Sequence, residues 1–355
     1  MQTDLEQLWA DCLLAEKFWG RTLSGLTAIT YREKGEPAFL DTWFQTLRSH
    51  QNVHYIDGLK KLGISDDEPP AVKACKYHYL TNQIGGLNME YIEESPKKCW
   101  IRYLAPMWTY SGIALLAMPA HTRRTMSRAW HPRNGEMMGC DRLQYVRTKT
   151  IMEGDPYDEG YWIEHDRPLA SEETLLFKIE IRTPEFDPDN APKLDPEVWP
   201  AERVYKARPK FGGGYVNRII TVLLSKFGLD STCYIIGQTM RCLAIQYIHE
   251  LKDDQRIEGT DVHAVADIFA GILRACRQDY SVERVSPTRS RIVLNSYKPF
   301  DWEIPDKIRD ELFEFQRMGA RILNGRLKVS RSFAPDYGPI ETEVWDFEDS
   351  GRWLW

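Results

Sequence analysis

The residues between Trp130 and Asp166 are the ones whose types and spacing could carry chemistry. The run Trp130-His131-Pro132-Arg133-Asn134-Gly135 is followed by Gly139-Cys140-Asp141. Then comes Arg147-Thr148-Lys149-Thr150-Ile151-Met152-Glu153-Gly154-Asp155-Pro156-Tyr157-Asp158-Glu159, and the stretch ends at Glu164-His165-Asp166. Attack of water on a carbon held between two heteroatoms needs a base for the water and an acid for the leaving atom. Asp155, Asp158 and Glu159 are close enough, in a loop, to divide those roles, because neighbouring carboxylates in a partly dry pocket hold unequal pKa values. His131 or His165 would shuttle the proton, and Cys140 is a further candidate for the reacting group. Arg133 would clamp a substrate carboxylate through two parallel hydrogen bonds. Tyr157, Tyr161 and Trp162 would wall the pocket. Asp158, on a turn projecting beyond a sheet, is expected to matter most.

Each of these has a plainer reading. Gly154-Asp155-Pro156-Tyr157 is also an ordinary turn between strands, His131 before Pro132 could cap a helix end, and Cys140 could be a small buried residue. His131, Cys140, Asp158 and His165 are a conceivable set of metal ligands, but no close histidine spacing supports one. No cofactor is expected, and the question of a divalent metal stays open. His78 reads as a core-edge or surface helix residue, and His121-Thr122-Arg123-Arg124 with Arg128 as a solvated helix face or else a basic cluster that attracts an anionic substrate.

The segment Arg147 to Glu159, with Cys140-Asp141 before it, resembles the C-terminal signature of the L-2-amino-thiazoline-4-carboxylic acid hydrolase-like family. Asp158 stands where that pattern has a Cys, and Glu159 where it has an Asp. The resemblance implies a hydrolase, or a related lyase, that cleaves a C–N or C–S bond in a small polar or cyclic amidine-like molecule. The order of elements is also similar in form to small-ligand-binding domains of the vinyl-reductase-like (4VR) class. That likeness supports a rival reading, a non-catalytic binding or sensory module. A third reading is a structural subunit with no pocket.

The elements that must position these residues repeat. At an offset of 193 residues, Phe18 falls on Phe211, Gly20 on Gly213, Gly35 on Gly228, Gln45-Thr46 on Gln238-Thr239, Arg48 on Arg241 and Ala71-Val72 on Ala264-Val265. Ser95-Pro96 and Asn134-Gly135 recur in order as Ser286-Pro287 and Asn324-Gly325. Each half predicts helices, a hairpin, a helix and closing strands. In the first half the helices fall near 5–30, 38–62, 70–84 and 111–129. The strands run over 89–94, 98–103, 143–152 and 160–164. In the second half the helices fall near 216–227, 233–251, 262–277 and 304–323. The strands run over 280–285, 289–295, 327–333 and 340–347. The fold class is therefore α+β, as two tandem diverged copies related by a pseudo-two-fold. The copies span 1–180 and 205–355, joined by a Pro- and acid-rich linker over 181–204. Residues 325–333 hold no His, Cys, Asp or Glu, so the reactive groups are expected in the first copy alone.

Composition bounds the rest. A net charge of -6 over 355 residues argues against nucleic acid as the partner, and 12 Trp with 17 Tyr suit a pocket for a small organic substrate. Seven cysteines with no CxxC pair argue against a disulfide framework. The polar N-terminus is no signal peptide, and the apolar stretch 113–120 is too short to span a bilayer. Cytoplasmic localisation, no membrane partner and a homodimer compatible with the aromatic tail 345–355 are the expectations.

Overall fold

The computed structural model describes residues 2–105, 118–120, 122–180, 182–333 and 342–354. Helices and two sheets give an α+β chain that divides into two units. The first unit is Lys34–Arg208. The second joins Met1–Glu33 to Pro209–Trp355. The division differs from the contiguous copies expected from sequence, because the first 33 residues group with the far half of the chain.

Helix α1 (Gln2–Lys61) contributes to both units and breaks at Gly35, where φ 73 and ψ 172 leave the helical region. Helix α2 (Pro70–Ile84) starts on a proline, which lacks the N–H that a first turn leaves unpaired. Its Ala71, Val72, Ala74 and Cys75 are buried. Strands β1 (Met89–Ser95) and β2 (Lys98–Leu104) form the expected hairpin around Pro96. Helices α3 (Thr122–Trp130) and α4 (Arg133–Met138) follow. α3 covers the end of the expected helix 111–129; residues 106–117 and 121 lie outside the described ones. Strands β3 (Leu143–Lys149), β4 (Tyr157–Glu164) and β5 (Leu175–Phe177) complete a sheet of order β1-β2-β4-β3-β5, antiparallel except for the parallel β3–β5 pair.

Two boundaries there depart from expectation. β3 stops at Lys149 and Ile151–Glu153 is a single 3-10 turn. β4 begins at Tyr157, three residues earlier than the spacing predicts. The charged pair Asp158-Glu159 looks like loop, yet both residues are buried within the strand.

Helix α5 (Ala201–Asp254), in the second unit from Pro209 onward, breaks at Gly228 with φ 74 and ψ 178. Helix α6 (Val262–Ala275) is capped by Asp261, whose carboxylate accepts from the His263 N–H at 2.9 Å and the Ala264 N–H at 3.1 Å. Strands β6 (Tyr280–Ser286) and β7 (Arg289–Leu294) pair as a hairpin around Pro287. The expected helix 304–323 is two helices, α7 (Asp306–Leu312) and α8 (Glu314–Leu323). Strands β8 (Leu327–Phe333) and β9 (Glu343–Asp349) close an antiparallel sheet of order β6-β7-β9-β8. Of the aromatic tail, Trp345 is core, whereas Trp353 is 71% exposed.

Part of α5 reaches a mean hydropathy of 1.5, so by length and composition it could cross a membrane, unlike the short stretch singled out from sequence. Polar Ser, Thr, Gly and Gln interrupt its apolar runs and hide the signal. A core helix passes the same test, and Val216, Ile219, Ile220, Ile235 and Ile236 of α5 are buried.

Candidate functional site

Side chains alternate across a strand, and along β4 that rule separates the two carboxylates. Asp158 and Trp162 face the side of the sheet carrying α2 and α3, where Asp158 meets Arg123 and Trp162 meets His78. Glu159 and Tyr161 face the other side. Adjacent acids in a loop could share one proton; adjacent acids in a strand cannot. The expected carboxylate pair on a projecting turn is therefore not present.

Glu159 sits opposite Arg102 of β2, which donates to it from Nε at 2.6 Å. It also accepts from Thr148 Oγ1 at 2.7 Å and lies 3.1 Å from Lys149 Nζ. Arg102 continues to Glu90 at 2.7 Å and to the Pro184 carbonyl at 2.6 Å. Tyr157 accepts from Lys149 at 3.1 Å, and Tyr161 packs at a tilt on Trp100 with centroids 4.4 Å apart. This face is a saturated ionic and aromatic layer.

On the helix side, Asp158 is enclosed by the guanidiniums of Arg123 (α3) and Arg147 (β3), and accepts from the Ile151 N–H at 2.9 Å. Burial alone would raise its pKa, but the two arginines and the Ile151 N–H outweigh burial and hold it below the ordinary carboxylate value. Arg147 is wholly buried. Its Nη1 reaches Tyr145 Oη at 3.4 Å, and its Nε has no hydrogen-bond partner. Two guanidiniums around one carboxylate leave a surplus positive charge.

Next to this triad runs a buried polar chain. Gln51 Nε2 donates to the Trp130 carbonyl at 2.8 Å and to Asn134 Oδ1 at 2.8 Å. Asn134 Nδ2 meets His78 Nε2 at 3.0 Å, His78 Nδ1 meets Tyr103 Oη at 3.1 Å, and Tyr103 Oη meets His131 Nε2 at 3.2 Å. The Trp130 carbonyl can only accept, so it sets the direction of the whole chain. Asn134 then donates to His78 Nε2, His78 donates from Nδ1, and the Tyr103 hydroxyl donates to His131 Nε2. A neutral His131 must therefore carry its proton on Nδ1, an atom that is buried without a hydrogen-bond partner of normal geometry. Neutrality is enforced. Burial, His78, Arg147 and Arg123 push the His131 pKa well below its ordinary value against a small opposing effect of the Ser127 carbonyl. Burial also takes His78 down to about 3. His131 stacks between His78 at 4.7 Å and Tyr145 at 4.3 Å, and Trp162 Nε1 donates to its carbonyl at 3.3 Å.

The remaining candidates go elsewhere. Asp155 Oδ2 accepts from the Thr150 N–H at 2.6 Å and shapes the turn. Arg133 donates to Asn52 at 2.6 Å and Glu136 at 3.2 Å. His165 pairs with Gln144 at 3.1 Å, and Cys140 is half-buried beyond α4. Among the described residues no three such groups stand ready to hold a metal ion, so His131, Cys140, Asp158 and His165 do not assemble as a ligand set. Sequence reasoning missed His78, Tyr103 and Arg123. His78 falls on the buried stripe of α2 with Ala71 and Cys75, at i, i+4 and i+7, and that spacing was the available signal.

The second sheet carries a parallel of the Asp158 triad. Register pairs Asp158 with Tyr103 and Arg147 with Gly160; it pairs Glu343 with Leu294 and Arg331 with Trp345. Buried Glu343 lies 2.7 Å from Arg331 of β8 and 3.8 Å from Arg309 of α7. A buried carboxylate between two arginines is thus common to both sheets, although the matching segment 325–333 itself holds no acid. The window 325–333 excluded Glu343 because the acid comes from the next strand. The histidine chain is what differs: the residue across from Glu343 is Leu294, where Tyr103 stands across from Asp158.

No family model, curated protein or solved structure matches the chain.

Proposed function

We propose that the first unit is a hydrolase, or a related lyase, for a C–N or C–S bond in a small polar molecule, and that its reacting centre is the helix-facing side of the sheet at His131 and Arg147. The observation that carries this reading is a pair of buried donors, Arg147 Nε–H without a hydrogen-bond partner and His131 Nδ1–H with no partner of normal geometry beyond the influence of the Ser127 carbonyl, near enough that the arginine depresses the histidine pKa. Water attack on an amidine- or amide-like carbon develops negative charge on a heteroatom, and fixed donors in a dry site stabilise it strongly. A neutral imidazole donates such a hydrogen bond without giving up a full proton. The resemblance of Arg147 to Glu159 to the thiazoline hydrolase-like signature supports the same bond class. Asp158 then holds Arg147 in place and is a positioning residue.

The test is turnover of cyclic amidines, thiazolines and related amides, with and without added divalent metal. His131→Gln keeps an acceptor for Tyr103 and removes the Nδ1 donor. Loss of about 10²–10³-fold in kcat, with the melting transition kept, is expected. Undiminished turnover in that variant would remove His131 from the site.

A second reading, a non-catalytic ligand-binding module, is favoured by the full pairing of Asp158 and Glu159, which leaves neither as a free base. Saturable binding of the same compounds without turnover would establish it.

We also propose that the two units derive from one ancestral unit. Support comes from the shared strand order, the breaks at Gly35 and Gly228 with near-identical dihedrals, and the matching Arg–carboxylate–Arg clusters.

A further inference from the structure

The second unit holds a cavity of about 80 Å³, open to solvent, that the proposed reaction does not use. Phe18, Trp19, Phe269, Phe300, Phe313 and Trp345 are among the residues that line it. The rings hold one another in place: Phe18 meets Trp19 edge-on at 4.9 Å, and Phe313 meets Trp345 at 5.3 Å. Two amides also line it. Gln278 is used, since its Oε1 accepts from Ser296 Oγ at 3.0 Å and from the Lys298 N–H at 3.0 Å. Gln316 is not: its Oε1 is buried with no hydrogen-bond partner.

An apolar space with one unanswered amide group selects its ligand. The walls favour an aromatic ring over an aliphatic chain, through edge and offset contacts. A closed apolar cavity of about 150 Å³ admits benzene, so this smaller, open one takes a single ring, part of it in the mouth. The amide asks for a polar substituent. A hydroxyl satisfies it whichever way the amide is turned, because a hydroxyl both donates and accepts. A carboxylate on the Gln316 amide would exchange its water for a neutral partner, and Lys298, which also lines the cavity, is solvent-exposed, so its attraction is screened. We propose that this cavity is a binding site for a single-ring phenol, with the ring among the aromatic walls and the hydroxyl on the Gln316 amide.

The experiment titrates the full chain with phenol, toluene and benzoate, followed by calorimetry and by the fluorescence change expected from Trp19 and Trp345. Phenol should bind saturably and roughly five-fold more tightly than toluene, the effect of one neutral hydrogen bond. Benzoate should bind more weakly than either. In Gln316→Leu, phenol should fall to the level of toluene while toluene binding stays unchanged. Gln316→Met is the substitute should that variant fail to fold. Absence of saturable phenol binding overturns the proposal. So does a phenol preference that survives the loss of the amide.

Discussion

Asp158 and Glu343 are buried carboxylates, each set between an arginine of the neighbouring strand and one from a helix. Removing the charge from either strands two cations in a low-dielectric interior, which is strongly destabilising. Asp158→Asn should therefore lower stability by about 3–5 kcal/mol at neutral pH, and Glu343→Gln by a similar amount. The pH dependence has a definite sign. The folded pKa of Asp158 lies below its ordinary value. Its stabilising contribution is present above the unfolded pKa near 4 and is lost as pH falls through the folded pKa. Urea melts from neutral pH down to about pH 2 should show the gap between wild type and Asp158→Asn closing with acid. A variant as stable as wild type at pH 7 would mean that the arginines are not held by this charge. At this scale the sequence made Asp158 conspicuous but not its role, because both its partners come from other elements. A carboxylate pair and two separate ion clusters look alike in one dimension.

The elements were the most legible level. Both hairpins, α2, α6 and the division of each long helix follow from periodicity and turn residues. β4 was not legible at its start, since Tyr157-Asp158-Glu159 carries two charges that become tolerable inside a sheet through partners on other elements, Arg102, Arg123, Arg147 and Lys149. Strand β5 was missed because three residues carry no pattern. The breaks at Gly35 and Gly228 show what the shared glycines do. A positive φ with ψ near 180° is open almost only to glycine, and the space around each is clear, so backbone strain alone decides a substitution there. Gly35→Ala and Gly228→Ala should each lower stability by about 1–3 kcal/mol. Chemical denaturation of the two single variants measures this, and a neutral or stabilising effect at either position would mean that the helix runs straight through it.

At the scale of the whole molecule, repeats in the sequence suggested cutting the chain into consecutive halves, and the units do not follow that cut. Residues 1–33 belong with 209–355. Side chains within the second unit explain why. Phe18 packs edge-on to Phe315 at 5.3 Å, Asp11 accepts from Arg274 at 3.0 Å, and Lys17 and Arg21 reach Glu250 at 2.8 Å and 2.7 Å. Cys12, Ala15, Leu23 and Leu26 are buried as well. The ion pairs are partly exposed and contribute little singly, so the apolar face of this helix supplies most of the attachment. A sequence repeat reports common patterns and is silent on which copy of a helix packs with which sheet, since either amphipathic face would satisfy the same periodicity. The consequence can be measured by hydrogen exchange on a chain lacking residues 1–33. Loss of protection should concentrate in α5, α6 and β6–β9, with β1–β4 retaining most of theirs, because deletion uncovers the aromatic core around Phe269 and Phe315 rather than the one around Trp162. Contiguous halves would give the reverse, with protection lost across β1–β4, and that result would return the first helix to the unit that follows it in sequence.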